Sequence, residues 1–227
     1  MPRRSHIAVK LARNATPKDL ASRLSSSYSI TPTKTAFIEI PFAEKTAQVD
    51  LYNTKTLPVE VREWIWELFE TNMKTFYEQS SDGWDPAEKR KELFHSESRF
   101  VVLRSSSLDT NNDKAPTAPK LLGYSIFRFD TEETASEDED ELCDVVYCYE
   151  LQVEAGCKGM GVGRSVMDTL NRIGKEMKMD KTMLTVFKAN ASAVKFYRKI
   201  GFTLDEMDPS HFDGEEVDYE IMSKGYI

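Results

Sequence analysis

The fold turns on CKGMGVGRSVMDTL, residues 157–170. Gly159, Gly161 and Gly163 stand at alternate positions, followed by Arg164 and an amphipathic run in which Val166, Leu170, Ile173 and Met177 share one helical face. Just upstream, DVVYCYELQV (144–153) is the strongest strand pattern in the chain. A glycine loop between a strand's end and a helix's start leaves backbone N–H groups unpaired. The helix dipole adds partial positive charge, so such a loop holds an anion.

Working outward, TMLTVF (182–187) is a further strand, NASAVKFYRKIGF (190–202) a helix and VDYEIMSK (217–224) a last strand. Towards the N-terminus, RFVVLR (99–104) and LLGYSIFRF (121–129) are strands, separated by a polar, proline-containing insert at 105–119. Asp85-Pro86-Ala87-Glu88 caps a short helix. Pro58 opens the longest helix, with Val61, Ile65, Leu68, Phe69, Met73 and Phe76 at three- and four-residue spacing. TAFIEIPF (35–42) and AQVDLY (47–52) read as short strands, and Thr16-Pro17 with Asp19 as a helix start. No internal repeat is present. One strand–helix–strand unit at 145–187 among mixed elements gives an α/β or α+β class.

The chain has 227 residues, 40% apolar and 30% charged, which suits one compact domain. No apolar run approaches the roughly 20 residues of a membrane helix, so no membrane partner is expected. The N-terminus lacks the apolar core of a secretory signal. Cys143, Cys148 and Cys157 are odd in number and clustered, which fits free thiols in a reducing compartment. His6, His95 and His211 are far apart and have no partners at metal-ligand spacing, so no metal is expected. The net charge of −8 conceals an asymmetry. Residues 1–35 carry seven basic side chains against Asp19 alone, whereas 130–144 carry nine acids and 205–220 eight, with no Lys or Arg in either run. The acidic runs are either solvated loops or attractors of a basic partner. Direct nucleic-acid binding is not expected.

Three phosphate-binding patterns can be set against the loop. Gly156 and Gly161 have the P-loop spacing, but Val162 stands where that motif needs lysine. Gly159 and Gly161 begin a dinucleotide fingerprint, but Arg164 stands in place of its third glycine, and Asp180 is a poor match for its ribose acid. The third pattern, (Arg/Gln)-x-x-Gly-x-(Gly/Ala), cradles the pyrophosphate of acyl-CoA and reads here Lys158 to Gly163 with lysine in first place. Downstream, Asn190-x-x-Ala-x-x-Phe-Tyr-x-x-x-Gly-Phe ends at Phe202. Loop, strand and this helix, in that order, resemble the GNAT superfamily of acetyl-CoA-dependent N-acetyltransferases. The stretches YCYELQV, MLTVFK, NMKTFYEQS and YEIMSK are similar to its NatD branch, which acetylates the N-terminus of histone H4 and of the other core histone beginning Ser-Gly-Arg-Gly. That resemblance spans roughly residues 60–224. It departs in the inserts at 105–119 and 131–143 and at Lys158, where arginine is usual.

The resemblance implies a GNAT fold: a central mixed, twisted sheet flanked by helices in one domain at 36–227, with a basic extension at 1–35 that packs on it or is flexible. It implies acetyl-CoA as cosubstrate, with the backbone of Leu151, Gln152 and Val153 along the pantetheine arm. The loop Gly159, Met160, Gly161, Val162, Gly163 and Arg164 takes the pyrophosphate, and Asn190 bonds the pantetheine. Glu150 is the candidate base, acting through a water, its aromatic and aliphatic neighbours raising its pKa. Tyr197 matches the tyrosine that protonates the leaving thiolate in many relatives. Tyr77, Tyr147, Tyr149, Thr185 and Tyr219 form the peptide pocket, and Asp130 with Glu132 meets the substrate's arginine. Strict alternation puts Tyr147, Tyr149 and Leu151 on one face and Glu150 on the other, unless a bulge intervenes. Trp84 fits core or pocket wall equally.

The expected partner is thus a basic histone tail, met by a monomer in nucleus and cytoplasm. No Ser or Cys nucleophile with a His base is present, which favours direct transfer. A lysine or small-amine acetyltransferase of the same fold, and a silent histone-binding module, remain alternatives. An intact glycine loop with Glu150 speaks against the second.

Overall fold

The computed structural model describes residues 6–27, 37–42, 45–105, 119–136, 141–212 and 216–226. Most of the 105–119 insert, residues 137–140 of the first acidic run and 213–215 of the second lie outside these. An eight-stranded sheet runs through the molecule, with strands β1 (Phe37–Phe42), β2 (Lys45–Asn53), β3 (Arg99–Ser105), β4 (Leu121–Glu133), β5 (Leu142–Val153), β6 (Lys181–Phe187), β7 (Thr203–Leu204) and β8 (Tyr219–Gly225). Their order is β1-β2-β3-β4-β5-β6-β8-β7. Every neighbouring pair is antiparallel except β5 and β6, which the helix α5 (Val162–Glu176) joins in parallel. The sheet is therefore mixed and the class α+β, a GNAT fold.

Helices cover both faces. On one, α1 (Ile7–Asn14), α2 (Pro17–Ser27) and α5 share a core with Val49, Phe127, Val146 and Leu184, to which α6 (Ala191–Lys199) adds Tyr197. On the other, α3 (Val59–Gln79) and α4 (Pro86–Leu93) pack Ile65, Phe69 and Leu93 on Phe100, Tyr124 and Ile126. Asp85 caps α4, accepting from the N–H groups of Ala87 and Glu88 as its sequence pattern requires. The same holds at α2, where Thr16 and Asp19 bond each other reciprocally.

Helix α1 and the two-residue strand β7 have no counterpart in the sequence reading. The reason at α1 is tertiary. Val9 and Ala12 are buried, and Arg99 of β3 donates to the carbonyls of Ala12, Arg13 and Ala15, satisfying the acceptors a helix leaves at its end. His6, at the start of α1, bonds Asp144 of β5 through Nδ1 at 2.5 Å.

Two irregularities of β5 create the site. Ile126 pairs with Glu150 while Phe127 pairs with Cys148, so Tyr149 is an extra residue, a bulge. And β5 pairs with β6 only from Val145–Lys181 to Cys148–Leu184, although both strands continue. Beyond Cys148 they splay, and the β5 edge at 149–153 is paired on its β4 side alone.

Candidate active site

The splay opens a cleft of about 960 Å³ between β5, β6, α3 and the N-termini of α5 and α6. At one end lies the glycine loop. Gly161 has φ 90°, a left-handed conformation that suits glycine, and it caps α5. The first bond of that helix runs from Ser165 N–H to the Gly161 carbonyl, so the N–H groups of Val162, Gly163 and Arg164 have no helical acceptor and stand where an anion binds. Lys158 and Arg164 of the loop itself line the cleft here, and Lys199 of α6 lines it as well. Gly163 has a different reason: a Cβ there would lie 3.3 Å from Phe196 Cζ of α6. Met160 departs from its expected place. Its N–H donates to Cys157 and its side chain is 60% exposed, outside the cleft, because the tight turn at Cys157–Met160 uses that amide itself.

Asn190 lines the cleft, but its Oδ1 accepts from Ala193 N–H and Ser192 Oγ as the cap of α6, so only its amide nitrogen remains to meet a ligand. Leu151 and Val153 send their side chains into the α5 core, which leaves their backbone edge along the cleft.

The bulge overturns the alternation expected on β5. Leu151 does not share a face with Tyr149; it packs with Val146 and Cys148 on the α5 side. Glu150 turns towards α3 beside Tyr149. It is buried, its Oε2 accepts from Gln152 Nε2 at 2.8 Å, and Gln152 Oε1 accepts from Asn72 Nδ2 of α3 at 2.9 Å. Burial pushes the Glu150 carboxyl up to about 8; the Gln152 bond opposes this, Glu92 adds to it and Lys89 opposes it. Tyr197, from α6, is buried against Phe196 and Phe202 and lines the cleft, its hydroxyl held well above the usual phenol range by burial.

At the other end, Tyr147 and Tyr149 pack at 5.2 Å, and the Tyr147 hydroxyl bonds Thr185 Oγ1 at 2.6 Å, bridging β5 and β6 near their parting. Burial pushes Tyr147 up to about 12. Tyr77, Tyr219 and Glu132 complete this end, with Glu92 and Asp82 beside them. Burial and the neighbouring Asp130 and Glu133 raise the Glu132 pKa. Asp130 does not line the cleft. Its Oδ1 accepts from Arg13 Nη2 of α1 at 2.6 Å, and Arg13 Nε also donates to the Phe129 carbonyl. The expected carboxylate pair is therefore divided, Glu132 in the cleft and Asp130 occupied by the N-terminal helix. Trp84 belongs to the core, stacked on Trp66 and Phe69.

Asn72, Lys89 and Glu92 line the cleft without having been singled out in the sequence. Asn72 carried a signal: it stands four residues from both Leu68 and Phe76, a polar side chain on the apolar stripe of α3. Lys89 and Glu92 carried none, since only the packing of α4 brings them there. Their ion pair at 2.9 Å lies with Lys89 Nζ 4.2 Å over the Tyr77 ring. Among the described residues, no group of three or more His, Cys, Asp or Glu is arranged to hold a metal ion.

The sequence model of the GNAT acetyltransferase family matches residues 60–202, from the start of α3 to the end of the α6 helix motif. The chain belongs to the GNAT acetyltransferase family. It is an acetyltransferase with acetyl-CoA as cosubstrate, and the splayed strands, unpaired loop amides and basic rim suit that ligand's elongated, anionic form. Solved GNAT structures share the fold. The GNAT domain of S. lividans PAT is 12% identical with a TM-score of 0.53, over 84% of this chain and 97% of that one. Arabidopsis thaliana NAA60, solved with a bisubstrate analogue, is 11% identical with a TM-score of 0.52, over 79% and 99%. A GNAT acetyltransferase from Listeria monocytogenes is 15% identical with a TM-score of 0.50, over 83% and 100%.

Proposed function

We propose that this GNAT enzyme acetylates the N-terminal α-amine of a protein whose first residues are basic, with the histone tails beginning Ser-Gly-Arg-Gly, those of histone H4 and its companion core histone, as substrates, in nucleus and cytoplasm. The observation that carries this reading is Glu150, a buried carboxyl that lines the cleft between the glycine loop and the tyrosines, bonded to Gln152 and pushed up to about 8 by burial. A model α-amine titrates at about 7.7–8.0 and a lysine at about 10.4. A carboxyl raised towards that range is a better-matched acceptor for an α-amine than for a lysine. The cleft is also electrically divided. Lys158 and Arg164 belong to the glycine loop, and Glu132, Glu92 and Asp82 lie by the tyrosines. The first suits a pyrophosphate and the second a cationic peptide.

In this reading acetyl-CoA supplies the thioester when bound. Glu150 takes a proton from the amine, directly or through water, and so makes the nitrogen nucleophilic. The N–C bond forms as the C–S bond breaks, and Tyr197 gives its proton to the departing sulfur. Nitrogen's second proton leaves as the amide forms and, passed through water, restores the proton Tyr197 has given to sulfur. Leu151 to Val153 and the loop amides hold the donor, and Tyr77, Tyr147, Tyr149, Thr185 and Tyr219 hold the peptide's first residues.

The test is a peptide panel with acetyl-CoA, following CoA release and locating the acetyl group by mass spectrometry. A Ser-Gly-Arg-Gly peptide is acetylated at its N-terminus, and its N-terminally blocked copy bearing an internal lysine is not. Acetylation of the blocked peptide would turn the reading to a lysine acetyltransferase, and no turnover on any peptide would remove it.

A further inference from the structure

Gln152 has a side chain with no part in the function proposed so far, yet it is buried beside the candidate base and bonded at both ends. Asn72 Nδ2 stands 2.9 Å from Gln152 Oε1 and 3.5 Å from the carbonyl oxygen of Val153. A carbonyl oxygen only accepts, so the Asn72 atom turned to Val153 is its amide nitrogen. That nitrogen makes the neighbouring Gln152 atom an acceptor, Oε1. The opposite atom is then the donor Nε2, and it lies 2.8 Å from Glu150 Oε2. The direction of the chain is thus fixed by a backbone atom: Val153 carbonyl, Asn72, Gln152, Glu150.

The consequence falls on the two oxygens of Glu150. Oε2 accepts from an N–H, which occupies one of its lone pairs and makes it the poorer seat for a proton. Among the described residues Oε1 has no such partner, and Glu150 lines the cleft. We propose that Gln152, oriented by Asn72, is a positioning residue that reserves Oε1 of Glu150 for the proton taken from the substrate amine. This rests on Glu150 being the base. The bond forms only with the lone pairs of Oε2, so the proton moves between nitrogen and Oε1 while Gln152 neither gains nor loses one. The bulge at Tyr149 makes the device possible, because it turns Glu150 to the α3 face where Gln152 and Asn72 meet it.

Six titratable groups interact electrostatically with the Glu150 carboxyl from the elements around it: Glu92 and Lys89 from α4, Tyr77 from α3, Tyr124 from β4, Tyr197 from α6 and, from the opposite face of β5, Cys148. None of them changes when Gln152 is replaced. The Gln152 bond favours the charged carboxylate, so its loss moves the ionisation upward.

The experiment measures kcat and KM for acetyl-CoA and peptide against pH for wild type, Gln152→Leu, Asn72→Ala, the double variant and Glu150→Gln. In Gln152→Leu the rising limb of kcat moves up by about one pH unit, as expected for the loss of a hydrogen bond to a charged group, while the acetyl-CoA KM stays within about twofold. Asn72→Ala, at a half-buried position, moves the limb the same way by less, since its amide no longer holds Gln152 in one orientation. The double variant matches Gln152→Leu alone, because Asn72 acts through Gln152. A limb that stays in place in Gln152→Leu and Asn72→Ala, with rates merely scaled down, overturns the proposal and leaves Glu150 as base. Normal turnover of Glu150→Gln overturns both.

Discussion

Tyr149 and Glu150 are adjacent on β5 yet face the same side of the sheet. The register shift that pairs Ile126 with Glu150 and Phe127 with Cys148 leaves Tyr149 as an extra residue. A regular strand would have pointed one of them into the α5 core. The bulge instead sets Tyr149, a residue of the proposed peptide pocket, beside the candidate base and turns Leu151 into the opposite core.

That juxtaposition gives the first prediction. Replacing Glu150 by glutamine preserves shape and hydrogen-bonding reach but removes the group that accepts a proton. Turnover should fall by roughly 10²-fold or more, with acetyl-CoA affinity within about twofold of wild type. In wild type kcat should rise as the pH passes about 8, the value to which burial pushes this carboxyl. The rise should vanish in the variant. Measuring CoA release from pH 6 to 9 decides it.

Glu150 also sets a stability dependence with a definite sign. Its carboxyl ionises at about 8 in the folded chain against an ordinary 4.5. Between those values the folded chain holds a proton the unfolded chain has lost, so stability falls as pH rises through the window. Glu150→Gln should therefore gain in melting temperature over wild type progressively from pH 5 to pH 8, and no further above it. A difference that is flat with pH would contradict the ionisation assigned to Glu150.

At the glycine loop, Gly161 holds φ 90° at the cap of α5. A β-branched residue there is strained and fills the approach to the unpaired amides. Gly161→Val should weaken acetyl-CoA binding at least about tenfold by calorimetry, with the circular dichroism of the domain retained.

Division of the acidic pair separates two effects on substrate choice. Glu132 lines the cleft, and Asp130 is held by Arg13. Glu132→Gln should lower kcat/KM for a Ser-Gly-Arg-Gly peptide by about tenfold and flatten the preference for arginine over alanine at its third position. Asp130→Asn should weaken the docking of α1, seen as faster hydrogen exchange over residues 7–14, with a smaller change in that preference. If Asp130→Asn alone abolishes the preference, Arg13 yields Asp130 to the substrate.

Helix α5 has a packing test at Gly174. A Cβ there would lie 1.9 Å from the Tyr226 hydroxyl, which bonds Thr182 at 2.6 Å. Gly174→Ala should lower the melting temperature by several degrees, in the range expected for overpacking, while Gly174→Ala with Tyr226→Phe recovers part of the loss.

What the sequence determined by itself was local in origin. The glycine loop, the strand before it and the Asn190–Phe202 helix each announce themselves within a dozen residues, because turn conformations, strand alternation and helical spacing are short-range properties. Glu150, Tyr197, Tyr147 and Tyr77 were singled out through the family resemblance those elements carry, and the structure places all four on the cleft. Tertiary structure alone decided the rest. Helix α1 exists because Arg99, more than 80 residues away, closes its carbonyls. Asp130 was drawn from the cleft by Arg13, 117 residues distant. The bulge at Tyr149 depends on how β5 registers against β4, and the Asn72–Gln152–Glu150 chain on how α3 lies over both. Such contacts are decided by where the chain returns to itself, and a linear pattern holds no record of that distance.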